Sequence, residues 1–394
     1  MKKILLLAGE ESGMIYANRL KAVLKDHEIR GYADYGFETG DLAVFGFWPI
    51  LKKIFYFLRV KRTMEKAIDE WRPDVVLTID YPGMNLKLAA YAKKRGIRAV
   101  HVVCPQVWAW KKGRIPKIEA SLDKLCCFFP FEPALFTPGF AEFVGHPLAA
   151  SAGGRGGVQS AECGVQSSEC RVQSAGAEVK DSDNALSTKH SALCTTIALL
   201  PGSRIGEIEK CLPTMLEAVS KLEGVKVVIP AANEKARAAI EKIFSRPSFF
   251  KLHDSCFIQL GGARELLASA SAAVVASGTA TLEAALANCP TVLVYRVGAL
   301  LAWFARRVIK EIKHVGLANV IWEKMRPDSG VYPMPELLQE DFTAANIEAI
   351  LREWLSSEAA RGEIKRRLAD AVALLGSGGS PLERVAEIAH GTVK

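Results

Sequence analysis

Short β-branched and leucine-rich runs alternate along this chain with longer stretches whose apolar positions recur at helical spacing. In the first half the strand-like runs are Ile4–Leu7, Val75–Ile79, Ala99–Val103 and Lys124–Phe128. In the second they are Ile197–Leu200, Val225–Ile229, Cys256–Gln259, Ala273–Ala276 and Thr291–Val294. Amphipathic patterns such as Ile208–Leu222 and Asn233–Phe244 lie between them, and Ser380-Pro381 caps a final helix through Ala389. This alternation predicts parallel sheets covered on both faces. It corresponds to two doubly wound, Rossmann-like α/β domains in tandem, with ligands at the carboxyl ends of the strands.

The pattern fails over residues 151–192. Gly157–Cys163, Gly164–Cys170 and Arg171–Ala177 form a degenerate seven-residue repeat with almost no large apolar side chains. Such a tract has too little to bury to offset its ordering entropy, so it reads as a mobile insertion. Its Asp181-Ser182-Asp183 matches a metal-binding D-x-D by chance. The organisation is then an N-terminal domain over 1–150, the insertion, and a C-terminal domain over 193–394 that includes the closing helices.

Composition narrows the class. A chain of 394 residues, 49% hydrophobic and 24% charged, suits two globular domains and excludes a fibrous or wholly disordered protein. A net charge of +8 attracts anions without choosing among nucleic acid, lipid and phosphorylated small molecules. The apolar run after Met1-Lys2-Lys3 ends at Gly9-Glu10-Glu11, which fits a buried first strand better than a signal peptide. The longest uncharged stretch, Leu266–Leu282, is too polar and short to span a bilayer. The expected location is cytoplasmic. The nine cysteines lack C-x-x-C spacing, and those in apolar segments read as small buried hydrophobes.

The segment Leu42–Lys66 differs in kind. Phe47, Ile50, Leu51, Ile54, Phe55 and Leu58 make one core-facing helical stripe, yet Phe45, Trp48 and Phe57 exceed it, interleaved with Lys52, Lys53, Arg59, Lys61 and Arg62. Apolar bulk flanked by cations suits a helix lying in a membrane interface beside anionic lipid.

Chemistry gathers at strand ends. Ala273–Ala276 runs into Ser277-Gly278-Thr279 and then a helix, whose unpaired first-turn N–H groups and dipole favour an anion, unless a Ser or Thr simply caps it. Glu283, a turn later, is placed to accept from a ribose diol. Ile197–Leu200 runs into Pro201-Gly202-Ser203-Arg204, where the guanidinium matches phosphate oxygens. In the first half, Asp80 closes the buried run Val75–Ile79 as a candidate general base, or as a helix cap. Gly9-Glu10-Glu11-Ser12-Gly13, Cys104–Trp110 and Gly145-His146-Pro147 also lie at strand ends. His146 is either a site residue or a hinge; Trp108 and Trp110 line an acceptor site or pack in the core.

Together these residues resemble the lipid-A-disaccharide synthase family of inverting glycosyltransferases. The resemblance rests on Ala8-Gly9-Glu10-x-Ser12-Gly13, Leu42-Ala-Val44-x-Gly46, Ile79-Asp80-x-Pro82-x-x-Asn85 and Gln106-Val-Trp108-Ala-Trp110. To these are added Pro130-Phe131-Glu132, Gly145-His146, Leu200-Pro201-Gly202-Ser203-Arg204-x-x-Glu207 and Ser277-Gly278-Thr279-x-Thr281-x-Glu283, in the family's order. It implies a GT-B fold, two Rossmann-like domains facing each other across a cleft. It also implies UDP-2,3-diacylglucosamine as donor, 2,3-diacylglucosamine 1-phosphate as acceptor, and a β-1′,6 linkage with release of UDP. Asp80 and Arg204 would be the catalytic and phosphate-binding residues. Ser277, Gly278, Thr279, Glu283, Ser203, Gly202, Glu10, Ser12, Gly13, Trp108 and His146 would contact substrate. No cofactor, metal or nucleic acid is implied, and the enzyme would sit peripherally on the inner face of the inner membrane.

This sequence departs from the family at two positions: Met14 and Gly83 stand where acids are usual. The architecture leaves other readings open. One is a UDP-N-acetylglucosamine 2-epimerase or a lipid-linked N-acetylglucosaminyltransferase, and another is a membrane-surface nucleotide-binding protein without turnover.

Overall fold

The structure, a computed structural model, describes residues 1–38, 54–109, 112–153, 195–296, 313–376 and 379–391. The expectations for residues 42–53, Trp110, and the repeat tract with Asp181–Asp183 lie outside the described residues.

The N-terminal sheet contains β1 (Lys3–Ala8), β2 (Glu28–Arg30), β3 (Val75–Ile79), β4 (Arg98–Val102), β5 (Lys124–Cys127) and β6 (Ala141–Phe143), in the order β2-β1-β3-β4-β5-β6. The C-terminal sheet contains β7 (Thr195–Leu200), β8 (Val225–Ala231), β9 (Cys256–Leu260), β10 (Ala272–Ala276), β11 (Thr291–Tyr295) and β12 (Glu336–Leu338), in the order β12-β11-β10-β7-β8-β9. Every pairing between these strands is parallel. All nine predicted strands are present. The three that the pattern missed, β2, β6 and β12, are three-residue edge strands, mostly half-buried, too short to carry a periodicity.

Helices cover both faces of each sheet. In the first half they are α1 (Glu11–Val23), α2 (Ile54–Trp71), α3 (Pro82–Lys93), α4 (Ile115–Ser121) and α5 (Pro147–Gly153). In the second they are α6 (Ile205–Val219), α7 (Glu234–Phe244), α8 (Ala263–Ser269), α9 (Thr279–Leu286), α10 (Leu317–Met325), α11 (Ala344–Ser356), α12 (Glu358–Ala373) and α13 (Pro381–His390). Leu5, Leu7 and Val76 bury against α2 and α3, while Ile4, Leu6, Val75 and Leu77 bury against α1 on the opposite face. That division is the period-2 alternation of a strand with two dry faces.

The last helix corrects the expected domain boundary. Leu382, Val385 and Ile388 of α13 bury beside α1 in the N-terminal core. Each contributes about 1.5–3 kcal/mol by leaving water. Polar ties hold it there: Lys2 Nζ donates to the His390 carbonyl at 2.8 Å and the Arg98 guanidinium donates to the Ile388 carbonyl at 2.9 Å. The chain therefore returns to its first domain to finish that domain's core.

A second correction concerns α2. Its core stripe is Val60, Met64, Ala67, Ile68 and Trp71, whereas Ile54, Phe55 and Leu58, expected to face inward, are 44%, 82% and 44% exposed. No helix among the described residues is long and apolar enough to cross a membrane.

Candidate active site

In each sheet the winding reverses beside the first strand, between β1 and β3 in one domain and between β7 and β10 in the other. Parallel sheets bind ligands at that crevice. Ala8 registers with Ile79, so Gly9-Glu10 and Asp80-Tyr81 leave the sheet side by side. Leu200 registers with Val275, so Pro201–Arg204 and Ser277–Thr279 leave the other sheet as neighbours, about 4.8 Å apart between strands.

On the N-terminal edge the backbone is strained. Asp80 and Tyr81 both adopt left-handed φ values, 50° and 51°. Such residues cost of order 1–3 kcal/mol each and persist where the surroundings over-determine them. Here Asn85 does so. Its Nδ2 donates to the carbonyls of Asp80 at 2.8 Å and Ile79 at 3.1 Å, and its Oδ1 accepts from the Tyr32 hydroxyl at 2.8 Å. The Asp80 N–H donates to the Val102 carbonyl at 3.0 Å. Gly9 is required opposite this turn, because a Cβ there would overlap the Tyr81 ring.

Burial raises the Asp80 carboxyl above the ordinary aspartate value, opposed by the Tyr81 N–H that its Oδ1 accepts at 2.8 Å. Glu10 is also raised, by burial and then by the Asp80 charge, while Arg204 holds it down. Arg204 comes from the other domain, so the cleft brings its cation within electrostatic reach of the N-terminal acids. Tyr16 reports the same convergence. Its phenol is raised chiefly by burial, with Arg19 opposing and both Asp80 and Glu283 adding to it.

The C-terminal edge has a different character. Gly202, at φ 109°, makes room for Glu207: a Cβ there would lie 2.6 Å from Glu207 Oε2. Glu207 Oε1 in turn accepts from Arg204 at 3.1 Å, holding a guanidinium whose side chain is 66% exposed. Ser203 is exposed beside it. Helix α9 takes Gly278, not Ser277 or Thr279, as its N-cap, with no side-chain cap bond. The capping alternative therefore does not describe this turn. Its first N–H groups face an edge where Thr279 is exposed and Ser277 half-exposed. Burial raises the half-buried Glu283, opposed by Arg264.

Other expected residues lie elsewhere. Gly13 packs in the first turn of α1, against Ala8 and Ile79; Ser12 precedes it in that turn. Met14 is half-buried against the core. Trp108, expected either to line an acceptor site or to pack in the core, is buried between the domains against Val320. Its Nε1–H donates to Glu132 at 3.2 Å. Glu132 also accepts from the Phe129 N–H at 3.1 Å, and burial pushes its carboxyl up to about 8. His146 directly precedes α5. It is buried, its Nδ1 accepts from the Leu148 N–H at 3.2 Å, and its own N–H donates to the Leu375 carbonyl at 3.3 Å. Burial pushes its ring down to about 4, so it is neutral near pH 7. Sequence reasoning missed Tyr16 and the role of Glu132. A tyrosine in an amphipathic helix carries no local signal, and a buried acid is recognised only by its partners.

Comparison with known proteins adds an independent line. The description Lipid-A-disaccharide synthetase attaches to the family whose pattern matches residues 4–155 and 177–377. The chain belongs to that family. The stretch between the two matched parts falls within the repeat tract. A lipid-A-disaccharide synthase of Chromohalobacter salexigens is 34% identical over 98% of this chain and 95% of its own length. One from Anaeromyxobacter sp. (strain K) is 34% identical over 100% of this chain and 98% of its own. Among solved structures, a putative UDP-N-acetylglucosamine 2-epimerase from Listeria monocytogenes superposes with a TM-score of 0.59 at 12% identity, covering 100% of this chain and 97% of that one. MurG of Acinetobacter baumannii gives 0.54 at 11%, covering 99% and 100%. At those identities the structural likeness shows the fold, a GT-B arrangement of two α/β domains.

Proposed function

We propose that this glycosyltransferase joins UDP-2,3-diacylglucosamine to the 6-hydroxyl of 2,3-diacylglucosamine 1-phosphate, forming a β-1′,6 link and releasing UDP. The observation that carries this reading is the meeting in one cleft of a buried carboxylate, Asp80, and a cation of the other domain, Arg204, both of which act on Glu10. Asp80 accepts the proton of the attacking 6-hydroxyl. The oxygen attacks the anomeric carbon from the face opposite the diphosphate, so configuration inverts as the C–O bond to UDP breaks. Arg204 and the uncapped N–H groups of α9 stabilise charge on the departing diphosphate, and Glu283 accepts from the ribose diol. A carboxylate raised by burial is a stronger base than an ordinary aspartate.

The enzyme works at the inner face of the inner membrane, held peripherally through Phe45–Arg62. Support for this comes from the exposed Ile54, Phe55 and Leu58 at the start of α2 and from the acyl chains of both substrates.

The test is to incubate purified protein with both acylated sugars and measure UDP. UDP is expected only when the acceptor is present, together with a disaccharide product. UDP release or epimerised sugar without acceptor overturns the reading, as does UDP binding with no turnover.

A further inference from the structure

Beside the strained turn, α2, α3 and α4 enclose a groove of about 500 Å³ that the mechanism above does not use. Its wall is apolar where Pro82, Leu86, Ala90 and Ile118 line it; Leu86 and Ile118 are themselves buried. Its rim carries Lys61, Lys87, Lys94, Arg114 and Lys117 against a single acid, Glu65. Lys61 is paired with that acid at 2.5 Å. Among the described residues no carboxylate pairs with the other four.

The groove also has a direction. Helices that connect parallel strands run back against them, so α2, α3 and α4 all begin at the carboxyl edge of the sheet, where Asp80 lies. Pro82, Gly83 and Arg114 therefore form the mouth, next to the candidate base, and the exposed Ile54, Phe55 and Leu58 start α2 on the same edge. A Cβ built on the exposed Gly83 meets nothing within 4 Å. With glycine there, neither bulk nor negative charge stands in the entrance.

An apolar wall with a rim on which four of five cations lack a carboxylate partner among the described residues matches a hydrocarbon chain attached close to a phosphate. We propose that this groove is the acceptor subsite, taking an acyl chain of the phosphorylated glycolipid along α3 and its phosphate on Lys87, Arg114 and Lys117. This rests on the transferase reading. It places the sugar's 6-hydroxyl toward Asp80 and its phosphate away from Arg204, so the two anionic groups of the reaction bind separate cations.

The test uses the full chain with 2,3-diacylglucosamine 1-phosphate in detergent micelles, measuring acceptor binding directly alongside turnover. In the variant K87E/K117E, acceptor KM and Kd should rise about tenfold or more, the loss of roughly one charge-assisted contact. Its kcat and UDP affinity should stay near wild type. Gly83→Leu, an α-helical position where leucine is well tolerated, should weaken binding of the diacylated acceptor but not of glucosamine 1-phosphate. Unchanged acceptor affinity in both variants overturns the proposal while leaving the transferase reading intact. A wild-type chain that binds acceptor through these residues yet transfers nothing breaks the transferase reading and keeps the groove. If the K87E/K117E defect appears only with phosphatidylglycerol vesicles and vanishes in micelles, the groove docks bilayer lipid instead, and the proposal fails.

Discussion

The two edges that face each other across the cleft are built on the same plan and carry opposite chemistry. Each lies at the winding reversal of a six-stranded parallel sheet, beside that sheet's first strand. The N-terminal edge concentrates negative charge in a place that resists it: Asp80 and Glu10 are both raised by burial, on a turn held left-handed by Asn85. The C-terminal edge presents positive potential to solvent, in an exposed Arg204 held by Glu207 and in an N-terminus capped only by glycine. A transfer reaction needs this asymmetry. The half that takes a proton from the nucleophile benefits from a poorly solvated base, and the half that receives the leaving group benefits from donors already in position.

The largest effect should come from removing the base. Asp80→Asn should reduce transfer by roughly 10²–10⁴-fold, the usual worth of general-base catalysis, with UDP affinity unchanged. Retained transfer in steady-state assays would show that the two edges do not divide the work this way. Arg204→Ala should cost about 10²–10³-fold in transfer and, unlike the aspartate variant, also weaken UDP binding measured by calorimetry. Equal UDP affinity in both variants would remove the contrast between the edges.

A smaller effect sharpens the electrostatics. Transfer should fall as pH drops through the Asp80 pKa, and that acid limb should lie above the ordinary aspartate value because burial opposes ionisation. Coulomb coupling is mutual, so Glu10→Gln removes a neighbouring negative charge and should move the limb to lower pH. A pH–rate profile with an unmoved limb would deny the coupling.

The smallest expected effect on activity lies behind the cleft, at Glu132. Its folded carboxyl holds its proton up to about 8, against 4.5 when exposed. Wild-type stability should therefore decline between those values as pH rises, by about 1.4 kcal/mol per pH unit at most. Glu132→Gln should lack that decline, as read by denaturant titration at pH 6 and pH 9.

Legibility in the sequence followed how local each cause is. Asp80, Arg204 and Ser277–Thr279 were visible because each sits where an apolar run stops and a helix starts, within a few residues of the signal. Glu207 and Asn85 stood in the same motifs, but what they do there required coordinates: one orients a guanidinium, the other sustains a strained turn. Trp108 was legible as an unusual residue and not as an interdomain one. An aromatic in a loop has the same local pattern whether it meets a ligand or another domain.

The sequence by itself determined the strand–helix alternation, hence parallel sheets, and the family. Buried strands and their end turns are written in contiguous residues, and strand spacing carries no dependence on distant chain. Only the tertiary structure decided which strand ends adjoin, that α13 returns to complete the first core, and that Glu10, Asp80 and Tyr16 share a cleft with Arg204 and Glu283. Those outcomes depend on pairing order and domain contact, whose energies come from residues hundreds of positions apart.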